Sequence, residues 1–174
     1  MSAKYIPGTV LPLNNETSMM FSNIDVLFSA AKGLSLSQIT SITGLPASTI
    51  QNWVKRGFVS SPVAKQYSKK QFCRIILINM LRACLPLGDI VDLLSYINGR
   101  LDDEGDDMIG DDELYVYLVR TLSHLHSPSA EAIDQAVALA VADYKEPFAG
   151  GKTRLTKVLT VMTYSYFSTH YHKC

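Results

Sequence analysis

The longest gap in this sequence is one of charge. No aspartate or glutamate occurs in residues 26–88, although the chain holds 16 acidic residues against 16 basic ones and has a formal net charge of zero. The same stretch carries Lys32, Lys55, Arg56, Lys65, Lys69, Lys70, Arg74 and Arg82, and most of the acids come after residue 100. The zero is therefore an average over a basic half and an acidic half. Clustered Lys and Arg attract phosphate, the main sequence-independent contribution to DNA binding. Cysteine is scarce too. Cys73, Cys84 and Cys174 are widely spaced and odd in number, which argues against a disulfide framework and for free thiols in a reducing cytoplasm. No apolar run is long enough to span a bilayer, and residues 1–10 lack the charged start and apolar core of a secretory leader, so neither membrane insertion nor export is expected. No internal repeat occurs, and no nucleophile, base and orienting group form a set that suggests an enzyme. With 47% of its residues hydrophobic, the chain can bury a core, which excludes global disorder.

What is present is organised around residues 34–56, L-S-L-S-Q-I-T-S-I-T-G-L-P-A-S-T-I-Q-N-W-V-K-R. Ser35 and Gln38 form a capping box, with Leu34 and Ile39 as its hydrophobic staple. Ile39 and Ile42 share a helix face. Gly44 supplies the left-handed conformation of a tight exit, and Leu45 fills the turn. A second helix begins near Ala47, turns Ile50, Trp53 and Val54 inward, and stops at Gly57. This is the pattern of a helix-turn-helix. The outward face of its second helix carries Ser48, Thr49, Gln51, Asn52, Lys55 and Arg56. Gln and Asn pair with adenine edges, Arg and Lys with guanine or phosphate, so the set suits a helix lying in a major groove. A merely solvated face would also be polar.

Along the rest of the chain, residues 1–17 read as an extended or irregular arm. A first helix is expected from Ser22, with Phe21 and Val26 as a staple, an apolar face of Ile24, Leu27, Phe28 and Ala31, and Gly33 as its end. Residues 58–67, with Pro62 and β-branched valines, read as an extended loop or small hairpin wing. Ser68 and Gln71 form a second capping box. The helix that follows is apolar almost all round, from Ile75 to Cys84, and belongs in the middle of its domain. The next helix turns Ile90, Val91, Leu94 and Ile97 inward. The run D-D-E-G-D-D-M-I-G-D-D-E marks a boundary, with residues 1–100 as one domain, 101–113 as an acidic linker and 114–174 as a C-terminal region of three helices. The first of these buries Leu114, Leu118, Leu122 and Leu125. Ser127 and Pro128 open the second, whose stripe is Ile133, Ala136, Val137, Ala140, Val141 and Tyr144. The third, from about Thr153, is rich in tyrosine: Tyr164, Tyr166 and Tyr171 with Phe167.

In this order of parts the chain resembles the MerR group of transcription regulators. T-G-L-P-A-S-T-I-Q-N-W-V-K-R-G-F-V follows that group's helix-turn-helix and wing start in register. K-Q-Y-S (65–68) stands where the group has R-x-Y-S, and L-P-L-G-D-I (85–90) stands for its later helix-opening turn. More narrowly, the whole chain is similar to an uncharacterised family of Gram-positive bacterial proteins, a domain of unknown function with a MerR-like head. I-Q-N-W-V-K-R-G, S-P-V-A-K-Q-Y-S and the acidic break carry that likeness. The resemblance implies an all-α fold, a winged helix-turn-helix head with a C-terminal three-helix extension for dimerisation or sensing. It implies binding of double-stranded DNA, with helix 47–56 in the major groove and loop 58–67 as a short wing. Base-reading positions are then Ser48, Thr49, Gln51 and Asn52. Lys55, Arg56, Lys65 and Tyr67 hold phosphates, and Lys69 and Lys70 complete the basic set. Pro46 replaces the group's usual capping Ser, and Lys65 replaces the wing Arg, whose planar fork a lysine lacks.

Other motifs weigh against their plainer readings. The pairs His124/His126 and His170/His172 diverge if helical, which is poor chelating geometry, so no metal or cofactor is expected. Read as an EF-hand centred on Gly105, the acidic run puts Arg100 at the first ligand position and Asp111 at the last, and fails. G-K-T at 151–153 lacks the first glycine of a phosphate loop, because Glu146 stands there. The sequence therefore reads as a cytoplasmic DNA-binding transcription regulator. A homodimer is expected, since one recognition helix reads too few bases. The alternatives are a protein-interaction module on the same fold, or a sensor holding a small-molecule effector among the C-terminal aromatics.

Overall fold

The structure, a computed structural model, describes residues 5–14, 24–29, 32–98, 108–127 and 129–171. It is mostly helical, with α1 (Ile24–Phe28), α2 (Leu36–Thr43), α3 (Ala47–Lys55), α4 (Lys69–Leu81), α5 (Leu87–Asn98), α6 (Asp111–His124), α7 (Ala130–Ala140) and α8 (Gly151–Tyr171). Two short strands, β1 (Leu34–Ser35) and β2 (Gln66–Tyr67), pair antiparallel with Leu34 opposite Tyr67. The chain divides into two units, Met1–Met80 and Leu81–Cys174. That break falls one residue before the end of α4, whereas composition places it at the acidic run. α5 consequently groups with the C-terminal helices.

The first unit is built around α4. Phe72, Cys73, Ile75, Ile76, Leu77 and Ile78 are all at 0% exposure, as the unbroken apolar pattern predicts. Each large apolar side chain so buried contributes about 1.5–3 kcal/mol of transfer free energy. Both expected capping boxes form. Ser35 N–H donates to Gln38 Oε1 (2.8 Å) and Gln38 N–H to Ser35 Oγ (3.3 Å). Ser68 N–H donates to Gln71 Oε1 (2.7 Å) and Gln71 N–H to Ser68 Oγ (3.2 Å). Between α2 and α3 the chain turns at Gly44, φ 71°. A Cβ there would also meet Val10 Cγ1 at 2.7 Å, so the turn needs glycine for two reasons. The start of the chain is irregular, as expected, but tied down rather than extended. Ile6 is 2% exposed, Val10 N–H donates to Ile42 O (2.9 Å) and Asn79 Nδ2 to Gly8 O (2.9 Å). The first expected helix is described only from Ile24, where Phe28 packs against Phe72. Ser22, Phe21 and Ala31 lie outside the described residues.

In the second unit α6, α7 and α8 pack on one another and α5 packs on α8. The α7 stripe is buried from Ile133 through Val141 to Tyr144 as expected. Its opening differs: Ser129, not Ser127, accepts the Ala132 N–H (3.2 Å). Pro128 lies outside the described residues. In α6, Leu114 and Leu118 are buried, but Tyr115, Tyr117 and Thr121 take the inward places expected of Leu122 and Leu125, which are half-buried. Tyr144 Oη donates to Met108 O (3.1 Å) and its ring meets Tyr117 edge-on. Arg120 pairs with Asp143 (2.9 Å), tying α6 to the end of α7. Asn98 Nδ2 donates to the buried Asp111 carboxylate, joining the two ends of the segment 99–107, which lies outside the described residues. Among the described residues no helix is long and apolar enough to cross a membrane.

Candidate functional site

α3 is amphipathic, and its two faces have different uses. Ile50 and Trp53 are buried at 0% and 3% exposure and fix the helix to its unit. Ser48, Gln51, Asn52, Lys55 and Arg56 are exposed and Thr49 is half-buried. Positions 48, 51/52 and 55 recur every three or four residues, so they share one side. The side chains of Ser48, Thr49, Gln51, Asn52 and Lys55 make no hydrogen bond or ion pair to the described chain. No acidic residue lies on α2, α3 or α4. An ordinary solvated helix face intersperses both signs of charge; this one does not.

The loop after α3 is held at three points. Phe58 N–H donates to Trp53 O (2.9 Å). Gln71, already part of the α4 capping box, donates through Nε2 to Ser60 O (3.1 Å) and Ser61 O (2.9 Å). Arg74, at 2% exposure, donates through Nε to Phe58 O (2.6 Å). The ring of the same Phe58 lies under the Arg56 guanidinium, 4.4 Å from its centroid. One residue thus links the end of α3 to the loop. Sequence reasoning missed Arg74 and Phe58. The available signal was a lone cation inside the apolar run 72–78.

Beyond Pro62 the loop closes into a hairpin. Val63 and Gln66 exchange both backbone hydrogen bonds (3.1 and 2.9 Å) across Ala64 and Lys65, whose φ angles are 49° and 63°. Two-residue hairpin turns with positive φ at both centres match the right-handed twist of strands, and favour Asn-Gly. Here two L side chains adopt that conformation, and the turn lifts Val63 (79% exposed) and Lys65 into solvent.

Tyr67 departs from the rest of the expected set. It is 4% exposed, opposite Leu34 across the strand pair, and burial raises its phenol pKa above the usual value. Its ring is a packing element. Lys69 is paired with Asp25 (2.5 Å); Lys70 is exposed. Unit Met1–Met80 contains eight Lys/Arg and two Asp/Glu, net +6, and unit Leu81–Cys174 eight and fourteen, net −6. The candidate face belongs to the cationic unit.

Against this geometry, residues 17–118 match the model of a family described as a domain of unknown function, DUF1836. The chain belongs to the DUF1836 family. The family match covers α1 to α5 and most of α6, and so includes the whole candidate face, whereas α7 and α8 lie beyond it. No curated protein and no solved structure matches the chain.

The remaining motifs have plain structural places. Lys152 N–H, at the start of α8, donates to Glu146 Oε2 (2.9 Å). The residue that breaks the phosphate-loop pattern thus puts its own carboxylate where an anion would sit. Among the described residues no three His, Cys, Asp or Glu form a metal-holding group. The side chains of His170 and His172, and Cys174, lie outside them.

Proposed function

We propose that the first unit is a MerR-like winged helix-turn-helix, and that the chain is a sequence-specific, DNA-binding transcription regulator acting as a homodimer. In this reading α2 and α3 form the motif, α3 enters the major groove, and the hairpin 58–67 is the wing. Ser48, Thr49, Gln51 and Asn52 read base edges, with Gln51 and Asn52 suited to adenine N6 and N7. Lys55, Arg56, Lys65 and Lys70 hold phosphates. Lys69, engaged with Asp25, contributes least. One observation carries the reading: a helix face of exposed donors and acceptors, with no partner among the described residues, stands on a unit of net charge +6 from which acids are nearly absent. Arg56 is exposed, with its guanidinium carbon 4.4 Å from the Phe58 ring centroid, and a guanidinium offers a phosphate a planar, bidentate fork.

The test is retention of duplex DNA, starting with two-fold repeats upstream of the protein's own gene. Lys55→Glu with Arg56→Glu is expected to lower affinity at least about a hundredfold, since each lost phosphate contact becomes a repulsion. Circular dichroism should be unchanged, because both side chains are exposed. Equal retention by the variant would refute the groove assignment.

A further inference from the structure

The first unit has six lysines and two arginines, Arg56 and Arg74, and both arginines meet Phe58. The Arg56 guanidinium lies over its ring, 4.4 Å from the centroid. Arg74, buried on α4, donates through Nε to its carbonyl oxygen (2.6 Å). Each contact uses a property of arginine: a flat face that stacks on a ring, and an N–H that donates in a fixed direction. Phe58 is held from its other side as well. Its N–H donates to the carbonyl of Trp53 (2.9 Å), a residue 3% exposed. The backbone of Phe58 is thus tied to α3 and to α4, while its ring lies under the exposed Arg56.

The ring is not needed to end α3, because backbone bonds do that. Arg56 N–H donates to Asn52 O (2.9 Å) and Gly57 N–H to Val54 O (3.0 Å), with Gly57 at φ 75°. Nor does the contact pair a charge. The Arg56 side chain makes no hydrogen bond or ion pair to the described residues. What the ring supplies is restraint. A free arginine samples many rotamers, and each long side chain immobilised on binding costs affinity. A guanidinium already resting on a ring has given up part of that freedom beforehand. We propose that Phe58 is a positioning residue for DNA binding. It holds Arg56 ready for a backbone phosphate at the C-terminal end of α3, and Arg74 keeps Phe58 in place. This role rests on the DNA reading of α3, whereas the stacking itself can be tested without DNA.

In the free full chain, the ring current of Phe58 is expected to shift the Arg56 side-chain protons upfield in NMR spectra. Phe58→Leu is expected to return them to their ordinary positions. Unshifted protons in the unaltered chain would overturn the proposal and leave the DNA reading standing. Affinity for a fluorescein-labelled, mixed-sequence duplex then gives a double-mutant cycle. Phe58→Leu keeps the backbone bonds and most of the apolar volume. It is expected to weaken binding about fivefold at unchanged salt slope. Arg56→Ala is expected to weaken binding further and to reduce the slope by about 0.9, the share of one phosphate. Added to Arg56→Ala, Phe58→Leu is expected to have no further effect, because the group it positions is gone. Phe58→Met repeats the cycle with another apolar side chain, and Phe58→Tyr, which restores a ring, is expected to recover affinity to within about twofold. Fluorescence of the buried Trp53 reports whether each variant is folded. An equal loss from Phe58→Leu in both backgrounds would make the ring merely structural and overturn the proposal. So would no loss in the unaltered background. Failure of every chain to bind, the unaltered one included, would strike the DNA reading itself and the proposal with it.

Discussion

Ala64 and Lys65 hold a backbone conformation that costs an L residue about 1–2 kcal/mol each. Asparagine is the residue that hairpin turns of this type favour at the first centre. Ala64→Asn is therefore expected to stabilise the protein by about 0.5–1 kcal/mol, seen as a higher urea midpoint at unchanged slope. An unchanged or lower midpoint would mean that the turn is not strained in solution. Tyr67 makes a second prediction, one that depends on pH. Burial raises its phenol pKa, so the folded state keeps its proton when the unfolded chain has lost it. Its contribution is complete below the ordinary tyrosine pKa of about 10 and is lost as pH rises through the higher folded value. Tyr67→Phe is expected to leave neutral stability nearly unchanged and to make the alkaline loss shallower. If Tyr67 were a phosphate ligand, the same substitution would also weaken DNA binding; we expect no change.

At the scale of elements, Gln71 closes the α4 cap and holds the root of the wing at Ser60 and Ser61. Gln71→Ala removes both functions and is expected to cost about 1–2 kcal/mol. DNA affinity is expected to fall severalfold, because a wing free to move must be ordered on binding. A stability loss with undiminished affinity would place the wing outside the DNA contact. The capping box itself was legible in the sequence, because Ser68 and Gln71 are three residues apart and act locally. So were the Ser35–Gln38 box, the Gly44 turn and the apolar sweep of α4, all of which depend on near neighbours. The grip of Gln71 on the wing was not, since it spans ten residues and depends on how the loop folds back. Strands of two residues have no periodicity to read, so the pairing of Leu34 with Tyr67, and with it the burial of Tyr67, could not be foreseen. Ser127 and Ser129 flank Pro128 and are both good caps. Only the Ala132 N–H position separates them. The inward face of α5 was readable, but amphipathicity does not name the neighbour a face will meet. It packs on α8 instead of extending the head.

At the scale of the molecule, the net charge of zero and the +6 and −6 of the two units make opposite forecasts. If overall charge governed binding, DNA affinity would respond weakly to salt. Counterion release depends instead on the phosphates contacted locally. Lys55, Arg56, Lys65 and Lys70 would contact four, giving a slope of log K against log salt of about −3.6 for one head. A dimer holding two heads on one site would approach about −7. A slope of about −3.6 would mean that one head alone contacts the DNA. A slope near zero would remove the phosphate contacts, and with them the reading of the cationic unit as the DNA-facing one.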